Sequence, residues 1–249
     1  MANGFDPRAG LTPTPATTLG QASVPVDAGL RSYMLSVYNY MASGVLLTGI
    51  VALLFVSTGA VYALFNPVTG GATPLAWLVI LSPLALVMVL SFGINRISTG
   101  TAQALYWVYA TVMGMSMSTI FLVYTTGSIA ITFFATAAAF LSLSLWGYTT
   151  KKDLSGFGTF MIMGLVGLLV AMVINMIWPS GPMTLAISAL GVLIFAGLTA
   201  YDTQKIKSMY FAVQGSDFAR KSAIMGALKL YLDFINLFMF LLRFMGDRR

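Results

Sequence analysis

The chain has 249 residues, of which 58% are hydrophobic and only 8% charged, with a net charge of +6. A soluble domain holds about 25% charged residues, so this composition excludes one. The lack of any His or Cys removes serine–histidine hydrolases, cysteine nucleophiles, HExxH zinc sites, CxxC redox pairs and disulfides.

Residues 1–30 are rich in Thr, Pro, Ala and Gly and contain no apolar run, which predicts a disordered N-terminal tail. The first apolar stretch begins only after Arg31, too late for a cleavable signal peptide, so the tail is expected to stay attached and cytosolic. Residues 31–249 read as one transmembrane domain. No charge lies between Arg31 and Arg96, between Arg96 and Lys151, or between Asp153 and Asp202. Each gap accommodates two crossings at about 20 residues apiece.

The expected fold is therefore an all-α membrane protein with seven transmembrane helices. The spans fall near Met41 to Leu64, Leu75 to Asn95, Ala102 to Tyr124, Ile129 to Tyr148, Phe157 to Trp178, Met183 to Asp202, and between Lys221 and Arg243. Turn residues mark the joints: Asn66, Pro67, Gly70, Gly71 and Pro74 after the first span, Thr125 to Gly127 after the third, and Pro179, Gly181 and Pro182 after the fifth. Basic residues occupy the tail (Arg8, Arg31) and the second, fourth and sixth loops (Arg96; Lys151, Lys152; Lys205, Lys207, Arg220, Lys221). The odd-numbered loops have none, which predicts a cytosolic N-terminus with the even-numbered loops inside. A full seventh crossing then leaves Arg248 and Arg249 outside, so a re-entrant last helix stays an alternative. Scattered at the ends of apolar runs, these cations orient helices and give no footprint for nucleic acid.

The chain has seven Asp and no Glu. Asp6, Asp27, Asp153, Asp217 and Asp247 read as solvated surface charges, whereas Asp202 and Asp233 belong to apolar helices. An ionised carboxylate there costs about 2.5 to 3.5 kcal/mol, so such groups face a bundle interior or a wet path. If the sixth helix descends to Asp202 and the seventh starts from the same side, both carboxylates lie in the same half of the membrane. On the last helix Lys229, Asp233, Asn236, Phe240 and Arg243 share one face, and this polar stripe is expected to point inward. Ser188, Gly191, Thr199 and Asp202 form a small, polar strip on the sixth helix that suits a close approach.

Two carboxylates about 4 Å apart at an effective dielectric of about 20 repel by roughly 4 kcal/mol, which favours a shared proton. Such a pair is a candidate proton sensor, and when ionised it offers hard oxygen ligands to a cation such as Ca²⁺. The alternative is that each Asp pairs with a nearby cation, Asp202 with Lys205 or Asp233 with Lys229. Arg96, at the end of the second helix, is a candidate gating partner or a topological anchor. Gly114 and Ser118 in the third helix suit packing or a wetted lining, and Asn175 suits an interhelical hydrogen bond.

Leu198-Thr199-Ala200-Tyr201-Asp202-Thr203-Gln204-Lys205-Ile206, followed by Leu230-Tyr231-Leu232-Asp233-Phe234-Ile235-Asn236-Leu237-Phe238, resembles the paired signature of the Bax inhibitor family. The resemblance covers roughly residues 30–245. It implies a seven-helix fold in which the last helix is central and wrapped by two layers of three. It also implies a pH-sensitive calcium leak with Asp202 and Asp233 as sensor and cation-binding groups, and an Arg of the second helix, matched here by Arg96, as their partner. A bacterial cytoplasmic membrane is the expected location, and no cofactor is called for. The expected partners are the lipid bilayer, calcium, protons and a further membrane protein, with no nucleic acid. A proton/calcium exchanger and a membrane adaptor are the competing readings. Tyr201-Asp202 also resembles the first motif of presenilin-type proteases, but Leu230-Tyr231-Leu232 replaces the Gly-x-Gly that precedes their second aspartate, so a non-enzymatic role is expected.

Overall fold

A computed structural model describes residues 23–249, with side chains from residue 28 onward. Of the tail expected over residues 1–30, residues 1–22 lie outside the described residues. Helices α1 (Ser23–Ser57), α2 (Pro74–Gly93), α3 (Thr99–Met117), α4 (Ile120–Val123), α5 (Thr126–Thr149), α6 (Ser155–Ile177), α7 (Gly181–Val213) and α8 (Phe218–Met245) follow in order, with a 3-10 helix at Ala60–Leu64. Seven segments are long and apolar enough to cross a membrane, α3 and α4 together forming the third. The chain is an integral, multi-pass membrane protein.

Hydroxyl side chains set several helix starts. Thr73, Ser98 and Thr125 each accept the backbone N–H three residues on, at 3.2, 3.1 and 3.3 Å. Each satisfies one of the donors that a helix N-terminus leaves free.

Three boundaries differ from the sequence reading. The first helix starts at Ser23, within the stretch expected to be tail, because Leu30, Tyr33, Met34, Val37 and Met41 form a buried stripe at three- and four-residue spacing. It also ends at Ser57 rather than Leu64, where Gly59 takes a left-handed conformation (φ 74°) and the 3-10 turn follows. The sixth span does not stop at Asp202: α7 runs on to Val213, so Lys205 and Lys207 sit on helix, not in a loop. No Gly or Pro interrupts residues 203–213, and at about 1.5 Å per residue the helix outreaches the roughly 30 Å hydrocarbon layer.

The most enclosed span is α8, with 67% of its apolar window buried, against 11% for α6. It packs on α7, α1, α5 and α3, while α6 packs on α7 and α2 on α3. Two of the glycines that permit close approaches to α7 bear on the site. A Cβ on Gly147 of α5 would collide with the carbonyl oxygen of Ala200, and one on Gly191 would enter the ring of Phe240 of α8. Close backbone approach through small residues is the usual solution where lipid supplies no hydrophobic drive between helices.

The last helix traverses the whole bundle. Beyond it, Asp247 N–H donates to Ser128 Oγ (2.9 Å), Asp247 C=O accepts from Thr125 N–H (3.1 Å), and Arg249 N–H donates to Val123 C=O (2.9 Å). These bonds fix the C-terminus at the start of α5, opposite Lys151 and Lys152 at its far end. A re-entrant last helix is thereby excluded.

Candidate functional site

Asp202 and Asp233 come together where α7 and α8 cross, in the half of the bundle nearest Lys151 and Lys152. Gln204, two residues after Asp202, ties α7 to that end by accepting from Leu154 N–H (2.9 Å) and donating to Lys152 C=O (2.7 Å). Asp202 is 2% and Asp233 4% exposed. Their carboxyl groups lie within hydrogen-bonding reach of each other. Since a carboxylate only accepts, that contact becomes a hydrogen bond when the pair holds one proton. Asp153, by contrast, is fully exposed in the turn before α6, where the Ser155 hydroxyl and then the Ser155 N–H (2.9 Å) hold its carboxyl below the usual range.

Lys229 supplies the cation. Its Nζ lies 2.7 Å from Asp202 Oδ1, across the helix interface, with the Lys side chain 42% exposed. The contact is an ion pair by distance; neither that oxygen nor Asp233 Oδ2 meets a well-directed donor. An incompletely satisfied buried carboxyl pair is costly as structure, and so marks a place where a proton or cation can be taken up. The Tyr201 ring lies beside it, with Lys229 Nζ 5.7 Å and Lys205 Nζ 5.6 Å from its centroid.

Two expected pairings are corrected by this geometry. Lys229 faces Asp202 of α7 instead of Asp233 one turn along its own helix, and Lys205 turns to the Tyr201 ring instead of Asp202. Arg96 lies just past the end of α2, exposed, and the ion pair formed among the described residues does not involve it. The stripe of Lys229, Asn236 and Arg243 does not point inward either. With Met225, Leu232 and Met239 it forms the least buried side of α8, while Asp233 and Phe240 are buried beside it. The reason is that α7, α1, α5 and α3 cover the apolar sides, and a long cationic side chain keeps its head at the open one.

The remaining candidates are structural in their contacts. Asn236 donates to Leu232 C=O (2.8 Å) within its own helix, and Thr199, fully buried, donates to Phe195 C=O (2.8 Å). Gly114 is packed against Thr48 and Val51 of α1, and Ser118 donates to Met115 C=O (2.6 Å). Asn175 bonds the Thr184 hydroxyl at 2.9 Å, joining α6 to α7.

A set of hydroxyl contacts escaped the sequence reading. Tyr38 of α1, Ser144 of α5 and Thr203 of α7 form a chain at 2.7 and 2.8 Å, ending one residue from Asp202. Tyr33 meets Ser222 at 2.8 Å, and Thr48 meets Tyr231 at 2.6 Å. These four contacts join α1 to α5 and α8, and α5 to α7. The signal for two of them was Tyr33 and Tyr38 just before the first expected span, whose partners lie more than 100 residues away.

The fold and site define a polytopic, all-helical membrane protein with a buried carboxyl pair on its two last helices. Residues 30–249 match the family model described as Inhibitor of apoptosis-promoting Bax1. The chain belongs to the Bax inhibitor family. It is similar to the Escherichia coli K12 inner membrane protein YbhL, with 46% identity over 89% of this chain and 94% of YbhL. A Caulobacter vibrioides protein is 46% identical over 92% of this chain and 94% of its own. The Lactococcus lactis protein YrjE is 36% identical over 88% of this chain and 92% of its own.

Proposed function

We propose that the protein is a pH-gated cation leak, most suited to Ca²⁺, in a bacterial inner membrane, with Asp202 and Asp233 as the switch. The observation that carries this reading is the buried carboxyl pair with one oxygen of Asp202 on Lys229 and Asp233 Oδ2 without a donor. With one proton, the two carboxyls bridge α7 and α8 and hold them together. Without it, their repulsion loosens the crossing and frees oxygen ligands for a cation, with Lys229 as the local counterion. Among the described residues no three acidic or other metal-ligating side chains cluster. Two carboxylates offer four oxygens, short of the six to eight that Ca²⁺ takes, so the pair suits a passing ion that keeps part of its water. No bond is made or broken in this role.

Purified protein in calcium-dye liposomes should pass Ca²⁺ down its gradient with a rate that changes between about pH 5 and 8, where a coupled acid pair can titrate. A rate independent of pH would sink the switch. Calcium moved against its gradient by an imposed proton gradient would replace the leak by exchange.

The orientation proposed is a cytosolic N-terminus, with Lys151, Lys152 and the end of α7 inside. The basic even-numbered loops support it. Single cysteines placed near Gly70 and Gly181 should label from outside intact cells, and one near Lys151 only after lysis. A cysteine after Arg249 should label from outside; labelling of Lys151's neighbour instead would invert the arrangement.

A further inference from the structure

We infer that the groove between α1 and α5 holds one phospholipid with an anionic headgroup. The groove is an open cavity of about 700 Å³, and its apolar walls are Met34, Met41, Phe133 and Leu141, with Phe140 and Phe234 among the residues behind them. All of these belong to membrane-spanning segments, so the medium that meets the groove is acyl chain. Its volume lies in the range of about 300 to 1,000 Å³ that takes a drug-sized ligand, so the open groove seats part of a lipid, one acyl chain with its headgroup end, while the rest stays in the bilayer.

The charge at one end selects the headgroup. Among the described residues Arg31 is the one charged side chain lining the groove, and it sits exposed at the end where α1 begins. Tyr148 lines the same end, and the Lys207 ammonium lies 4.9 Å from the centre of its ring while donating to its carbonyl at 2.7 Å. Arg31 and, through Tyr148, Lys207 thus stand on the side where α5 ends, and among the described residues no acidic side chain lines the groove. A phosphate with an uncharged remainder gains from both, whereas a zwitterionic headgroup brings its own ammonium and gains less.

The occupant would lie against the switch. Tyr38, Ser144 and Phe234 line the groove, Ser144 bonds Thr203 behind it, and Phe234 and Thr203 directly follow Asp233 and Asp202. The binding claim itself does not depend on which ion, if any, the pair admits.

The test is native mass spectrometry of the full chain taken from vesicles of equal phosphatidylglycerol and phosphatidylcholine with matched acyl chains. The expected spectrum shows one lipid retained per chain, phosphatidylglycerol favoured by about fivefold. Ala42→Trp and Ala137→Trp fill the groove from opposite walls and should each lose the adduct, while Leu169→Trp on the exposed face of α6 should keep it. Ala42 is exposed, so its variant stays informative if the half-buried Ala137 position does not fold. Arg31→Gln should keep a lipid but lose the preference. Equal retention of the two lipids by the unmodified chain overturns the proposal, as does an adduct that survives both groove-filling variants. A dimer that Ala42→Trp dissociates would assign the groove to a second copy of the chain and overturn it equally.

Discussion

Asp202→Asn and Asp233→Asn are each expected to abolish most of the pH dependence of Ca²⁺ flux, leaving less than about a twofold change between pH 5 and 8. Asparagine keeps the size and much of the hydrogen bonding of aspartic acid, but it has no proton to lose in this range. Either substitution therefore removes the mutual repulsion, worth roughly 4 kcal/mol for charges about 4 Å apart at an effective dielectric of about 20. Both side chains are buried at one helix crossing, so the two groups act as a unit and their effects do not add. The double variant should behave like either single one. Proteoliposome flux at fixed gradient across the pH range measures this. A wild-type profile in both single variants would remove the pair as sensor and favour the adaptor reading.

Lys229→Gln should move the flux profile of the otherwise intact protein to higher pH, since a carboxyl group that loses its neighbouring cation takes up a proton more readily. The cation stands 2.7 Å from Asp202, but its side chain is 42% exposed. Solvent screens only the lysine end, since the Asp202 side chain is 3% exposed, and losing the cation should cost about 1 to 2 kcal/mol of stability, above the value for fully exposed pairs. A shift of about one pH unit with a matching fall in melting temperature is the expected signature. Lys229→Arg should retain the profile, because it keeps the charge. Arg96→Ala is the internal comparison: exposed and outside the ion pair, it should leave the midpoint in place. A midpoint that follows Arg96 and ignores Lys229 would return the gating role to the second helix.

The seven crossings were legible because lipid imposes a one-dimensional rule: a stretch of about 20 apolar residues, closed by charges or turn residues, has no other stable home. Asp202 and Asp233 stood out for the same reason, as ionisable groups inside such stretches. Helix ends were less legible. Residues 203–213 carry Lys205 and Lys207, which read as loop by hydropathy, yet helix formation there needs only the absence of a breaker and a packed face.

What the amino-acid order determined by itself was thus the class of protein, the number of crossings and the two acids that matter. The tertiary structure decided who meets them. Lys229 is four residues from Asp233, and helical spacing alone pairs those two. The α7–α8 crossing turns the lysine to Asp202 instead, and leaves the polar stripe of α8 on its uncovered side. Tyr38, Ser144 and Thr203 are ordinary residues until three helices bring their hydroxyls within 2.8 Å. Such contacts depend on the relative rotation of whole helices, which is set by the packing of Gly147 on Ala200 and Gly191 on Phe240. Interhelical rotation is a property of the assembled bundle, and no local sequence pattern encodes it.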